Sequence, residues 1–262
     1  MIALLLAVGV AAGIWVILRG GIIVPGSRSF RLAGFDPNAA GLGALAIAVA
    51  IYFYGWVFGV ALVLSVVVHE YGHVAAYRVC GHSDARFRLI PLLGGVAISS
   101  RLPATQNAAF FIAIMGPAIC LAPMAIAFAL SNLLFTQTPI LAGMLLIFAM
   151  VLASFNFFNL LPFWPLDGGR MVQILCQTFI PWATRQVSIA MTVIGAALAW
   201  FTHSYFILFF ILISWGGLIQ SEKLLEVQTP MTRMNALIAL CAYGFTAGAF
   251  FLGGSFLLRG LL

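Results

Sequence analysis

The sequence predicts an all-α polytopic membrane protein of about eight (six to eight) transmembrane helices, with one small membrane-associated β-hairpin. Three observations carry this. Apolar residues make up 64% of the 262 and charged residues only 7%. Several runs of about 20 residues pass without a charge, the length a helix needs to cross the hydrocarbon core. The short alternating segments of a closed β-barrel are absent. A net charge of +6 would suggest nucleic acid in a soluble domain, but here the 12 Lys and Arg read as topology signals, so the expected surroundings are a lipid bilayer and no nucleic acid. Cys80, Cys120, Cys176 and Cys241 stand far apart with no C-x-x-C, and read as packing residues.

Residues 1–18 form the first apolar run. It lacks the basic start of a signal peptide and is expected to remain as a span. Residues 19–38 mix Arg19, Arg28, Arg31 and Asp36 with Gly and Pro and read as a loop, in which 22–24 and 30–35 are short enough for strands or for lying at the interface. Residues 39–79 are apolar throughout, and one straight helix there would be about 60 Å long, twice the hydrocarbon thickness. A break at Tyr54-Gly55-Trp56 resolves this into an antiparallel pair. It also puts the loop of Arg19, Arg28 and Arg31 on the same side as the loop of Arg78, Arg86, Arg88 and Arg101.

Onward, 108–135 crosses out, Thr136-Gln137-Thr138 turns, and 140–160 returns. Residues 187–201 and 205–219 are short spans around Thr202-His203-Ser204, and the chain ends on one more. This accounting gives eight spans with the N-terminus outside. Every basic residue except Arg259 then shares one face, the cytoplasm by the positive-inside rule. Within residues 86–100, Gly94-Gly95 between apolar runs can turn a hairpin, although a plain amphipathic loop fits the imperfect alternation as well.

The chemistry centres on His69-Glu70-Tyr71-Gly72-His73, an H-E-x-x-H at the end of an apolar run. Two histidines four apart lie one turn above each other on a single helix face, so both reach one metal ion, and the glutamate can meet a water beside it. A pair of satisfied core histidines is the bland alternative. Against it, ionisable groups inside a membrane cost several kcal/mol and mark functional sites by default. His69 stands nine residues before Arg78, about 13 Å inside the cytoplasmic boundary.

A catalytic zinc takes three protein ligands and leaves a position for water. Asp36, His82, Asp84, Glu222 and Glu226 fall in charged loops and read as solvated, while His203 lies in an outside turn. Asp167 differs. It follows a returning span in the run 159–170, NLLPFWPLDGGR, where Pro162 and Pro165 forbid regular helix. Irregular backbone at membrane depth lines polar cavities. A helix N-cap before 171–179 is the compatible alternative for Asp167.

At this point the chain resembles the site-2 protease family of intramembrane zinc metalloproteases. HEYGH at 69–73 fits the family's H-E-x-G-H, and NLLPFWPLDGGR fits its N-x-x-P-x-x-P-x-D-G. Pro91-Leu92-Leu93-Gly94-Gly95-Val96 is similar to its glycine-bearing hairpin, and Met115-Gly116-Pro117 to its G-P element, with Cys120 where members often carry Asn. The resemblance covers 54–185 in order, which makes this a core between N-terminal spans 1–53 and C-terminal spans 187–262 of a single transmembrane domain 1–262. The expected form is a compact one without PDZ or CBS domains.

The resemblance implies one Zn2+ ion held by His69, His73 and Asp167, with Glu70 as the catalytic acid and base. It implies that Asn159 hydrogen-bonds the substrate backbone, although Asn156 and Asn159 at i, i+3 could equally be polar glue between helices. A helix hides its amides, so a substrate must unwind, and the hairpin edge at Gly94, Gly95 and Val96 could take it as an added strand. Gly72 and Gly116-Pro117 read otherwise as aids to close helix approach.

The expected partners are a transmembrane protein substrate and a regulatory membrane protein. The expected location is a prokaryotic inner membrane, with the active site towards the cytoplasm. A membrane metal-binding or transport protein is the main rival, but a transporter has no need of Glu70 and should carry polar residues on several spans. A catalytically silent relative is the second. Four histidines are too few for a two-iron desaturase.

Overall fold

The computed structural model describes residues 2–23, 40–90 and 94–259. Eight α-helices run in order among them: α1 (Ile2–Ile22), α2 (Ala40–Val79), α3 (Gln106–Leu134), α4 (Pro139–Asn159), α5 (Asp167–Phe179), α6 (Thr184–Phe201), α7 (Tyr205–Val227) and α8 (Arg233–Arg259). Strands β1 (Arg86–Ile90) and β2 (Gly94–Ile98) lie between α2 and α3. Six of the helices are long and apolar enough to cross a membrane. The strand expectation for 30–35 lies outside the described residues.

The apolar run of 40–79 breaks where the sequence suggested. Gly55 has φ 76° and ψ 165°, a conformation open in practice to glycine alone. Beyond it the chain turns back, because a Cβ on Gly59 would stand 2.7 Å from the Ala50 carbonyl carbon. At the other end, Gly21 near the end of α1 lies on the Ala75 backbone near the end of α2. Arg19 and Arg78 therefore stand on one side, as the positive-inside accounting required.

The hairpin forms as expected, antiparallel, with Arg86 opposite Ile98 and Leu89 opposite Gly95. Along β1 the period is two: Phe87 and Leu89 are buried while Arg86 points out. Those two side chains join Val66, Val74 and Ala85 in a core cluster, so the hairpin is packed down onto the second half of α2.

Two loop assignments change. His82 is buried rather than solvated, its Nδ1 3.0 Å from Ser99 Oγ, because the α2–β1 turn folds over the base of the hairpin. Glu222 and Glu226 lie in the last turns of α7 rather than a loop, and Glu222 sits 3.9 Å from Arg185 of α6.

The described residues divide into two compact units. The first comprises Met1–Leu102, Met115–Phe157 and Gly248–Leu262. In it Gly253 meets Met124 and Ala153, and Phe157 packs on Phe251 with ring centroids 5.4 Å apart. The second comprises Pro103–Ile114 and Phe158–Ala247. Phe163, Leu166 and Ile211 form its core cluster. The Gln106 amide brackets it further, donating to Leu225 O at 3.2 Å and accepting from Met231 N–H at 3.0 Å.

Candidate metal centre

The H-E-x-x-H run lies wholly within helical α2, so its spacing becomes geometry directly. His69 is 2% exposed, Glu70 7% and His73 7%. The two Nε2 atoms face each other at 3.1 Å. Two imidazole nitrogens bound tetrahedrally to one zinc at about 2.0–2.1 Å would stand about 3.3 Å apart, so the pair is already spaced for a shared ion. Asp167, the third donor expected from the sequence, begins α5. Two nitrogens and one carboxylate oxygen are the donor set of a catalytic divalent-metal site with a position to spare.

The neighbours of each histidine explain why it is held. His69 Nδ1 lies 2.8 Å from Asn156 Oδ1 on α4. Asn156 Nδ2 donates to Leu152 O at 2.8 Å, which turns the amide oxygen towards the ring. His69 therefore donates from Nδ1 and keeps its Nε2 lone pair for a ligand. Phe155 packs edge-on against the same ring at 5.3 Å. Around His73 the helix α3 comes so close that a Cβ on Gly116 would fall on the imidazole, and one on Gly72 would fall on the Met115 carbonyl. These glycines do serve close helix approach, and that approach walls in the histidine. Pro117 is accommodated inside α3. Cys120, one turn on, is fully buried and donates to Gly116 O at 3.7 Å, a packing role.

Glu70 is faced by the hairpin. A Cβ on Gly95 would collide with the Glu70 side chain, so the β2 backbone lies directly beside the carboxylate. Gly94 opens the strand at φ 94°, and Val96 pairs with Arg88. Asn159 is the last residue of α4. The irregular stretch between α4 and α5 is present around Pro162 and Pro165. The N-cap position of α5 belongs to Leu166, one residue earlier than the alternative reading of Asp167 required.

Asn156, left undecided by the sequence, is the residue that joins α4 to His69 by a hydrogen bond. Its signal was a buried amide in an otherwise apolar helix, 87 residues from its partner.

The profile of Peptidase family M50 matches residues 57–142 and 136–202. The zinc metalloprotease Rip3 of Mycobacterium tuberculosis, in strains Erdman and H37Rv, is 39% identical over 127 residues. That alignment covers 45% of this chain and 31% of Rip3, so less than a third of the relative's length is spanned. The Site-2 Protease from Methanocaldococcus jannaschii superposes with a TM-score of 0.46 at 23% identity, over 75% of this chain and 94% of that one. The profile match extends over more than half of the 262 residues and takes in both the histidine pair on α2 and the Asp167 loop, and on that extent the chain belongs to peptidase family M50.

Proposed function

We propose that this protein is a zinc-dependent endopeptidase that hydrolyses peptide bonds in or near transmembrane segments of other membrane proteins. The observation that carries the reading is the facing pair of Nε2 atoms at 3.1 Å with Glu70 between them on the same helix. His69, His73 and Asp167 would hold one zinc ion. Bound there, zinc acts as a Lewis acid that makes water acidic near neutral pH and polarises a carbonyl.

The remaining steps belong to the chain's own groups. Glu70, as carboxylate, takes a proton from the attacking water as its oxygen bonds to the scissile carbonyl carbon. The C–N bond then breaks, and the protonated Glu70 returns that proton to the departing amine nitrogen. Burial of Glu70 and both histidines excludes bulk water and strengthens each electrostatic contact. The β2 backbone beside Glu70 supports the assignment of Gly94, Gly95 and Val96 to an unwound substrate strand, which would gain main-chain hydrogen bonds there. Asn159 would add a hydrogen bond to that strand. The basic loops favour a cytoplasmic-side site in a prokaryotic inner membrane. A regulatory membrane protein is a further expected partner.

The test compares wild type with Glu70→Gln in detergent for bound zinc and for cleavage of single-span membrane proteins. Zinc in both, with cleavage by wild type alone, is expected. Zinc in both with cleavage by neither would point to a binding or transport role instead.

A further inference from the structure

The metal-binding reading makes Asp167 depend on an irregular loop, and two of the three bonds that hold that loop come from residues outside the family match. Residues 160–166 form no helix or strand, and Pro162 and Pro165 bring no N–H of their own. Carbonyls in such a stretch at membrane depth need donors from elsewhere. Tyr243 of α8 supplies one, its hydroxyl donating to Leu160 O at 2.6 Å. Two more bonds come from the neighbouring helices. The Trp164 backbone N–H donates to Thr192 Oγ1 of α6 at 3.3 Å, and its indole N–H donates to Ser214 O of α7 at 2.8 Å.

The loop is also closed on itself at Asp167. A Cβ on Gly168 would fall on the Leu160 and Leu161 carbonyls, and one on Gly169 would stand 2.6 Å from Phe163 O. The carbonyl that Tyr243 holds is thus in direct contact with the residue next to Asp167. Any shift of Leu160 passes to Gly168 with no intervening side chain to absorb it.

We propose that Tyr243 is a positioning residue for the metal centre: the tether from α8 to Leu160 O sets where the Asp167 carboxylate stands. The profile match ends at residue 202, so this role falls to a helix outside it. The inference rests on Asp167 as the third ligand. Tyr243→Phe keeps the ring and removes the single donated hydrogen bond.

The experiment measures Co2+ affinity by chelator competition, and the visible absorption spectrum of bound Co2+, in detergent-purified full-length protein. Wild type, Tyr243→Phe, Asp167→Asn and the double variant are compared, with circular dichroism as the folding control. Tyr243→Phe is expected to bind Co2+ about tenfold more weakly, in the range for partners that orient a ligand. Its spectrum should move towards that of Asp167→Asn, and the double variant should bind no more weakly than Asp167→Asn alone. If Asp167→Asn weakens binding while Tyr243→Phe matches wild type in affinity and spectrum, the tether is refuted and the ligand set stands. Should Asp167→Asn bind like wild type, the ligand set itself fails and the tether with it. If Tyr243→Phe does not fold, Trp164→Phe, which removes the bond to Ser214, carries the same expectation, and wild-type behaviour there overturns the proposal.

Discussion

Asn156 decides which nitrogen of His69 is available. Its amide is oriented by a bond to Leu152 O, so its oxygen can only accept, and the imidazole must donate from Nδ1. Replacing Asn156 with Leu keeps most of the volume and removes that acceptor. Zinc affinity is then expected to fall about 10–100-fold with helix content unchanged, measured by chelator competition. Unaltered affinity would mean that ring packing against Phe155 suffices. The histidine pair itself was legible because four residues is close to one helical turn, a relation internal to α2. Asn156 was not, since its partner is distant in sequence and an amide in an apolar helix fits several roles equally well.

At the scale of elements, two turns carry the local architecture. Gly55 stands in open space, where an added Cβ would meet nothing within 4 Å, so its requirement is purely one of backbone conformation. Gly55→Ala is therefore expected to lower stability by about 1–3 kcal/mol without a steric clash, read as a shifted unfolding midpoint in detergent. The glycine and its flanking aromatics marked this break in advance, because a 40-residue apolar helix cannot fit a bilayer.

The base of the β-hairpin is pinned by Asp84. Its carboxylate accepts from Ser100 N–H at 2.6 Å and from Ser99 Oγ at 3.3 Å. Chiefly through the Ser100 bond, the carboxyl is held down at about 2. The folded state thus favours the ionised form. The resulting stabilisation is complete above the ordinary carboxylate value of about 3.9 and is lost as pH falls through that value towards about 2. Amide exchange in residues 86–98 should stay slow at pH 5 and quicken, after correction for intrinsic rates, as pH falls below about 4. Asp84→Asn should remove that pH dependence. If wild type and variant respond identically, Asp84 does not pin the hairpin.

For the whole molecule, a bound metal adds stability by mass action, because the unfolded chain lacks the converged ligands. At free zinc about 1,000 times the dissociation constant, this amounts to about 4 kcal/mol. Chelation is expected to lower the thermal midpoint of wild type and to leave that of His73→Ala unchanged. A midpoint insensitive to chelation in wild type would speak against a tightly held ion.

The sequence by itself determined the membrane class, the break at Gly55, the hairpin, the histidine pair and the loop around Pro162 and Pro165. Each is a property of a short stretch: apolar length, a glycine, or a fixed spacing along a helix. Tertiary structure alone decided that Asn156 orients His69, that Gly95 lies on Glu70, that Gly116 walls in His73 and that Tyr243 holds Leu160. Those relations join residues far apart in the chain. They follow from which helices pack together and how closely, and no local pattern of apolar and polar residues encodes that pairing.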